Sequence, residues 1–132
     1  MLKEYSLSTK KNQELVDITP LIKKALIESK INKGLLTVFC PHTTAAITIN
    51  ENADPDVKSD IIYELDKIIP KIDNYKHSEG NSAAHIKSSL LGPSETIIIE
   101  NGQLVLGTWQ GILFCEFDGP RNRKFFVKLC EK

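Results

Sequence analysis

A single α+β domain with a largely antiparallel β-sheet core and about three helices is what this sequence predicts, and three observations predict it. Short β-rich runs fill both ends of the chain. Helical stripes bounded by proline and glycine occupy the middle, and neither a linker nor an internal repeat divides residues 1–132. A chain of 132 residues is also long enough to bury a core without disulfides or a structural metal. A bound metal would therefore serve function rather than folding.

Taken in order, "LKEYSLST" alternates as a strand and "LVDI" makes a short second one. Thr19 followed by Pro20 predicts an N-cap with proline at the first helical position. Leu21, Ile22, Ala25, Leu26 and Ile27 give that helix its apolar face, and Gly34 fits just past its end. "LLTVFC" and "AAITIN" predict a hairpin joined by "PHTT", which puts His42 at a strand end. Asp54 then caps a second helix ahead of Pro55, with Val57, Ile61, Ile62, Leu65, Ile68 and Ile69 on one stripe and Pro70 stopping it. Gly80 and Asn81 break the chain before a third helix, for which Ser82 is the cap and Gly92-Pro93 the stop. "TIIIEN", "LVLGT", "GILFCEF" and "KFFVKLC" complete an antiparallel meander, with Asn101-Gly102 as the turn between the first pair.

Composition excludes several classes of function. Seventeen basic and seventeen acidic residues cancel, and no run of five like charges occurs, which argues against nucleic acid and a polybasic membrane patch. "MLKEYSLSTKKNQ" lacks the apolar stretch of a signal peptide, and no run of about eighteen apolar residues is present, so the protein reads as cytoplasmic. Cys40, Cys115 and Cys130 are odd in number and lack C-x-x-C spacing; they read as thiols buried in strands rather than as a disulfide or redox framework. A phosphate loop of the G-x-x-x-x-G-K-[ST] type, a glycine-rich dinucleotide fingerprint and a G-x-S-x-G elbow are all missing.

The chemistry concentrates in two polar segments. "PHTTAAITINENADPDV" and "HSEGNSAAH" contain all three histidines, His42, His77 and His85, beside Glu51, Asp54, Asp56 and Glu79. His77 and His85 would lie about 12 Å apart on a continuous helix, too far to share an ion, but a turn at Gly80-Asn81 removes that objection. Convergence of His42, His77 and His85 on one divalent ion is the expectation, with Glu51 or water completing the shell. Imidazole donors favour zinc, whereas magnesium calls for more oxygen and would suit a diphosphate substrate. Asp54 and Asp56 also read as an N-cap and a first-turn acid. Thr43, Thr44, Asn50 and Asn52 can donate hydrogen bonds to a phosphate or an amide, as can Asn81 and Ser82 where the third helix begins.

A third motif, "GTWQGILFCEFDGPRN", holds the one tryptophan and Arg121. Trp109 can stack on a ring, Arg121 can clamp a phosphate, and Glu116 or Asp118 can move protons or bind metal. The same residues also read as a core tryptophan, a Glu116–Arg121 ion pair and a plain turn.

These motifs, with "AHIKSSLLGPS" between them, resemble the YjbQ-like family, also called the secondary thiamine-phosphate synthase enzyme family. The resemblance runs over nearly the whole chain. It implies a compact domain of the YjbQ-like fold, small cytosolic proteins of bacteria and archaea, assembly as homotrimers, and a weak ability to join the pyrimidine and thiazole-phosphate halves of thiamine phosphate. Some members carry an aspartate near Ala83, so an acid from that position is lacking here. The functional expectation is a metal-dependent enzyme acting on small phosphorylated metabolites, with His85, His77 and Glu51 as catalytic candidates. The alternative is a non-catalytic trimeric metal- or metabolite-binding protein.

Overall fold

The computed structural model describes residues Met1–Lys132. Along the chain run β1 (Leu2–Ser8), β2 (Glu14–Asp17), α1 (Thr19–Ser29), β3 (Gly34–Phe39), β4 (Ala45–Glu51), α2 (Pro55–Ile68), α3 (Ser82–Leu91), β5 (Ser94–Glu100), β6 (Gln103–Leu104), β7 (Gln110–Glu116) and β8 (Asn122–Glu131). Every strand pair is antiparallel. A five-stranded sheet has the order β1-β8-β3-β5-β6 and a three-stranded sheet the order β2-β7-β4. The α+β class and its three helices are as the sequence predicts.

The main core lies between the sheets. Leu36, Val38, Ile97, Phe125 and Val127 of the larger sheet meet Ala45, Ile47, Ile112 and Phe114 of the smaller, and Ile22, Ala25 and Leu26 of α1 seal the same layer. The opposite face of the smaller sheet carries Leu15, Ala46, Leu113 and Cys115, which pack under Ile61, Ile62 and Leu65 of α2 and Ala84 and Leu91 of α3. Strand β7 is thus covered on both faces, and residues 111–116 are all buried, which is why "GILFCE" reads as a continuous apolar run broken only by its last residue.

Several local expectations are corrected. The "LLTVFC" and "AAITIN" runs are strands but no hairpin: β3 pairs with β5 and β8, whereas β4 crosses to the other sheet and pairs with β7. The meander fails for the same reason. Of its strands only β5 and β6 pair as neighbours, through the Asn101-Gly102 turn, and "LVLGT" shrinks to the two residues of β6. Ile18 rather than Thr19 is the N-cap of α1, and the capping carboxylate is Asp17, which accepts from the Thr19 amide at 3.0 Å. The Thr19 hydroxyl instead accepts from the Ile112 amide at 2.8 Å and ties α1 to β7.

Gly34 is not a helix stop, because Lys30 in the left-handed region ends α1. Gly34 opens β3 at φ +153°, where a Cβ would lie 2.0 Å from the Cys130 carbonyl oxygen. Asn81 rather than Ser82 is the N-cap of α3. Of the cysteines, Cys40 and Cys115 are buried and Cys130 is exposed on the larger sheet. Asp54 caps α2 as expected, accepting from the Asp56 amide at 2.9 Å.

Candidate functional site

The crossover from β3 to β4 sets the first polar segment. His42 sits in this crossover, half-buried, and its Nε2 accepts from the Lys124 amide of β8 at 2.8 Å. Burial, with the Arg123 guanidinium next in weight, holds His42 below the usual imidazole range, so the ring is a neutral acceptor. Within one chain no three His, Cys, Asp or Glu side chains come within reach of a shared ion, so the expected three-histidine cluster does not form there. A backbone donor of β8 takes one of the two His42 nitrogens, Nε2.

Thr44 is likewise committed. Its hydroxyl accepts from Arg123 Nη2 at 2.8 Å beneath the crossover, while Thr43 remains on the surface. Arg123 grips Glu116 through Nε at 2.8 Å and through Nη2, and Thr9 donates to the same carboxylate at 2.7 Å. Burial pushes the Glu116 carboxyl up, but bonds from Arg123, the Asp118 amide and Thr9 outweigh it and hold the group below its ordinary value. Glu116 is therefore an ionised structural anchor whose partner is Arg123 rather than Arg121. The sequence carried the signal: Arg123 shares its strand face with Phe125, Val127 and Leu129, so it points inward.

At the end of β4, Asn50 is exposed and its Oδ1 accepts from the Glu51 amide at 2.7 Å, whereas Glu51 itself has no side-chain partner. Asn52 donates to Asp17 at 3.2 Å and lies against Gly111, where a Cβ would fall 2.2 Å from its Nδ2. Trp109 is not core. It is 64% exposed, on the loop before β7.

The second polar segment does converge. The turn at Gly80, with φ +79°, folds the 70–81 loop back along α3. The His77 and His85 rings meet edge to face, with centroids 5.5 Å apart and planes at 87°. Glu79 Oε2 stands 4.0 Å from His77 Nε2. Tyr75, Lys76, Ser82 and Ile86 complete an open pocket of about 330 Å³ around this pair. Tyr75 is held in place by its hydroxyl, which donates to the Pro70 carbonyl at 2.6 Å. The turn that shortens the distance between the two histidines is the one the sequence predicts.

On the other side of α3, Asn81 Nδ2 donates to Asp118 Oδ2 at 2.9 Å. Arg121 donates to the same oxygen from Nη2 at 2.9 Å and to the Asp118 carbonyl from Nε at 2.7 Å, so one edge of the expected phosphate clamp is already occupied. Lys87 went unnoticed in the sequence although it lies on the buried stripe of α3 with Ala83, Ala84 and Ser88. Its ammonium is buried and donates to Gln13 at 2.9 Å and to Asp66.

The comparisons agree with this architecture. The family model for UPF0047 protein YjbQ-like matches residues 3–132. A UPF0047 protein of Methanocaldococcus jannaschii is 61% identical over 129 residues, covering 98% of this chain and 94% of the relative. YugU of Bacillus subtilis is 52% identical over 132 residues, covering 98% of each. A crystal structure from Clostridium acetobutylicum superposes with a TM-score of 0.96 at 64% identity over 97% of this chain and 99% of that one. A structure from Sulfolobus solfataricus gives the same TM-score at 32% identity, with 100% and 97% covered. Sequence and fold together make the chain a member of the UPF0047 YjbQ-like family.

Proposed function

We propose that this protein is a metal-dependent enzyme acting on small phosphorylated metabolites, with His77 and His85 holding a divalent ion. One observation carries the reading. An imidazole nitrogen about 2.1 Å from zinc puts its ring centroid about 3.2 Å from the ion, and two such arms at a tetrahedral angle place the centroids about 5.2 Å apart. The His77 and His85 centroids stand 5.5 Å apart, close to that spacing, so a small rotation of one ring would aim both nitrogens at a shared ion. Glu79 stands by His77 without reaching the same ion, and water or a neighbouring copy supplies the remaining donors. His42 offers an ion only its Nδ1, because its Nε2 is already bonded.

The reaction class that suits the pocket is displacement of diphosphate from a small aromatic ring, as in joining hydroxymethylpyrimidine diphosphate to thiazole phosphate. The carbon–oxygen bond to the diphosphate breaks as a carbon–nitrogen bond forms, and no enzyme nucleophile is required. When bound, the metal would supply charge stabilisation for the departing diphosphate. Lys76 and the Ser82 hydroxyl line the same pocket and suit the anion, and the anchored Tyr75 ring offers a wall for the heterocycle.

A homotrimer is part of the proposal. It is supported by the outer face of the five-stranded sheet, which no helix of the chain covers. Cross-strand register lines up Cys130, Leu35 and Ile98 in one row and Phe126, Phe39 and Ser94 in another. Leu35 is 49% exposed, Phe39 44% and Ile98 55%, two exposed apolar rows on either side of the polar row of Thr37, Thr96 and Lys128, a mixed surface of the kind that an interface can cover.

The test is metal analysis of the purified protein together with turnover of the two thiamine precursors. His77→Ala and His85→Ala should each lose metal and activity together, whereas Arg121→Ala, whose guanidinium sits on Asp118, should leave both largely intact. Full turnover by His85→Ala would sink the mechanism. Metal binding without any turnover above the uncatalysed rate would favour the non-catalytic binding protein.

A further inference from the structure

The polar cavity on the far side of α3 has no part in the histidine chemistry. It encloses about 40 Å³, and its walls include Gln13, Asp66, Lys71, Asn81, Lys87 and Asp118. A single water needs roughly 10–15 Å³ by this measure, so the space suits a few waters or one tetrahedral ion. Asn81 Oδ1 is wholly buried and has no hydrogen-bond partner, although Nδ2 of the same amide is paired with Asp118. A buried acceptor without a donor is destabilising, so the occupant that suits it brings an N–H or O–H.

Charge narrows the choice. Lys87, only 3% exposed, has two of its three donors on Gln13 and Asp66, which leaves one. Lys71 lines the cavity with no ion-pair partner. Neither acid is free to repel an anion unopposed. Burial raises Asp66, but Lys87 and Gln13 more than offset it and keep it ionised and paired; Asn81 and Arg121 do the same for Asp118. Lys71 and Lys87 match the two carboxylates in number, and because both acids are already paired, Lys71 and the third Lys87 donor are what the cavity offers to an anion. At the entrance to α3 the amides of Ala84 and His85 both bond the Asn81 carbonyl, and that of Ala83, which lines the cavity, is left over as a further donor.

We propose that this cavity binds a protonated tetrahedral oxyanion, hydrogenphosphate, whose P–OH donates to Asn81 Oδ1 while its charged oxygens face Lys71 and Lys87. The site is distinct from the histidine pair and does not depend on it. Sulfate has the same shape and no proton at neutral pH, so Asn81 would be left unsatisfied and sulfate rejected. The shared chemistry can come from free phosphate or from inorganic diphosphate, which also carries a P–OH near neutrality.

Isothermal titration of the purified full-length protein with inorganic phosphate and with sulfate, in an amine buffer at pH 7, tests the site. One phosphate per chain is expected, with sulfate at least about tenfold weaker. Asn81→Ala should erase that preference, and the exposed Lys71→Ala should weaken phosphate about tenfold without threatening the fold. Diphosphate displacing phosphate would identify diphosphate as a source; failure to displace it would confine the site to the free ion. His77→Ala with His85→Ala should retain phosphate binding even when metal is lost, which separates this site from the proposed metal centre. The inference is overturned if phosphate does not bind, if sulfate binds equally well, or if phosphate binding vanishes with the histidines.

Discussion

Glu116 and Arg123 are the residues on which the crossover between the sheets rests. Their side chains are 0% and 5% exposed, and Thr9 from the first loop and Thr44 from the crossover add bonds to the same pair. Removing one partner leaves a buried charge alone, which typically costs about 3–5 kcal/mol. Glu116→Ala and Arg123→Ala should each lower the thermal midpoint sharply, whereas Glu116→Leu combined with Arg123→Met should recover most of the loss, as calorimetry can show. His42 responds to pH. Its folded value lies below the ordinary 6.5, so the unfolded chain takes up a proton first as pH falls. Stability from this group is complete above about pH 6.5 and is lost progressively below it, down to the folded value. His42→Gln keeps an acceptor for Lys124 but cannot titrate, so the gap between wild-type and variant melting temperatures should change across that window and stay flat above it. The pairing of His77 with His85 was legible because a glycine turn between two histidines is a local signal. The fate of His42 was not, because its partner is a backbone amide 82 residues away.

Elements show the same division. The starts of all three helices and the ends of α2 and α3 were readable to within about a residue, because proline, Asp54 and the Gly92 stop act locally, whereas the end of α1, set by Lys30 in the left-handed region, was not. Strand partners were not. A run such as "LLTVFC" shows that it forms a strand, but its alternation is equally satisfied by pairing with "AAITIN" or, as found, with β5 and β8. Gly34 illustrates how a distant contact can fix a residue that sequence reading assigns to a nearby role. In Gly34→Ala the new Cβ would press on the Cys130 carbonyl of β8, and the positive φ adds backbone strain. A loss of roughly 2–3 kcal/mol is expected, measurable as a shift in the denaturant midpoint at unchanged slope. Gly80→Ala has open space around its Cβ and should cost less.

At the scale of the whole molecule, the uncovered face of the larger sheet is the feature that the chain alone leaves unfinished. Ile98→Lys, on that face, should reduce a trimeric mass to that of a monomer in light scattering while leaving the circular dichroism of the chain unchanged. A wild-type protein that is already monomeric at micromolar concentration would remove the basis for the assembly. The helix and loop that bear the histidines, and the cavity behind them, lie over the smaller sheet, so loss of the assembly need not abolish phosphate binding.

Strand β8 is hydrogen-bonded between β1 and β3, so the last strand of the chain is an interior member of its sheet. On a ribosome this order has a temporal meaning. Both flanking strands leave the exit tunnel long before the ten residues that join them, and until Asn122–Glu131 follow, β1 has no partner and β3 has only β5. At synthesis rates of about 5–20 residues per second, the nascent chain passes several seconds with two apolar strand edges exposed. Closure of the sheet therefore waits for β8, and a nascent chain stalled before it is the form most exposed to chaperones and to self-association.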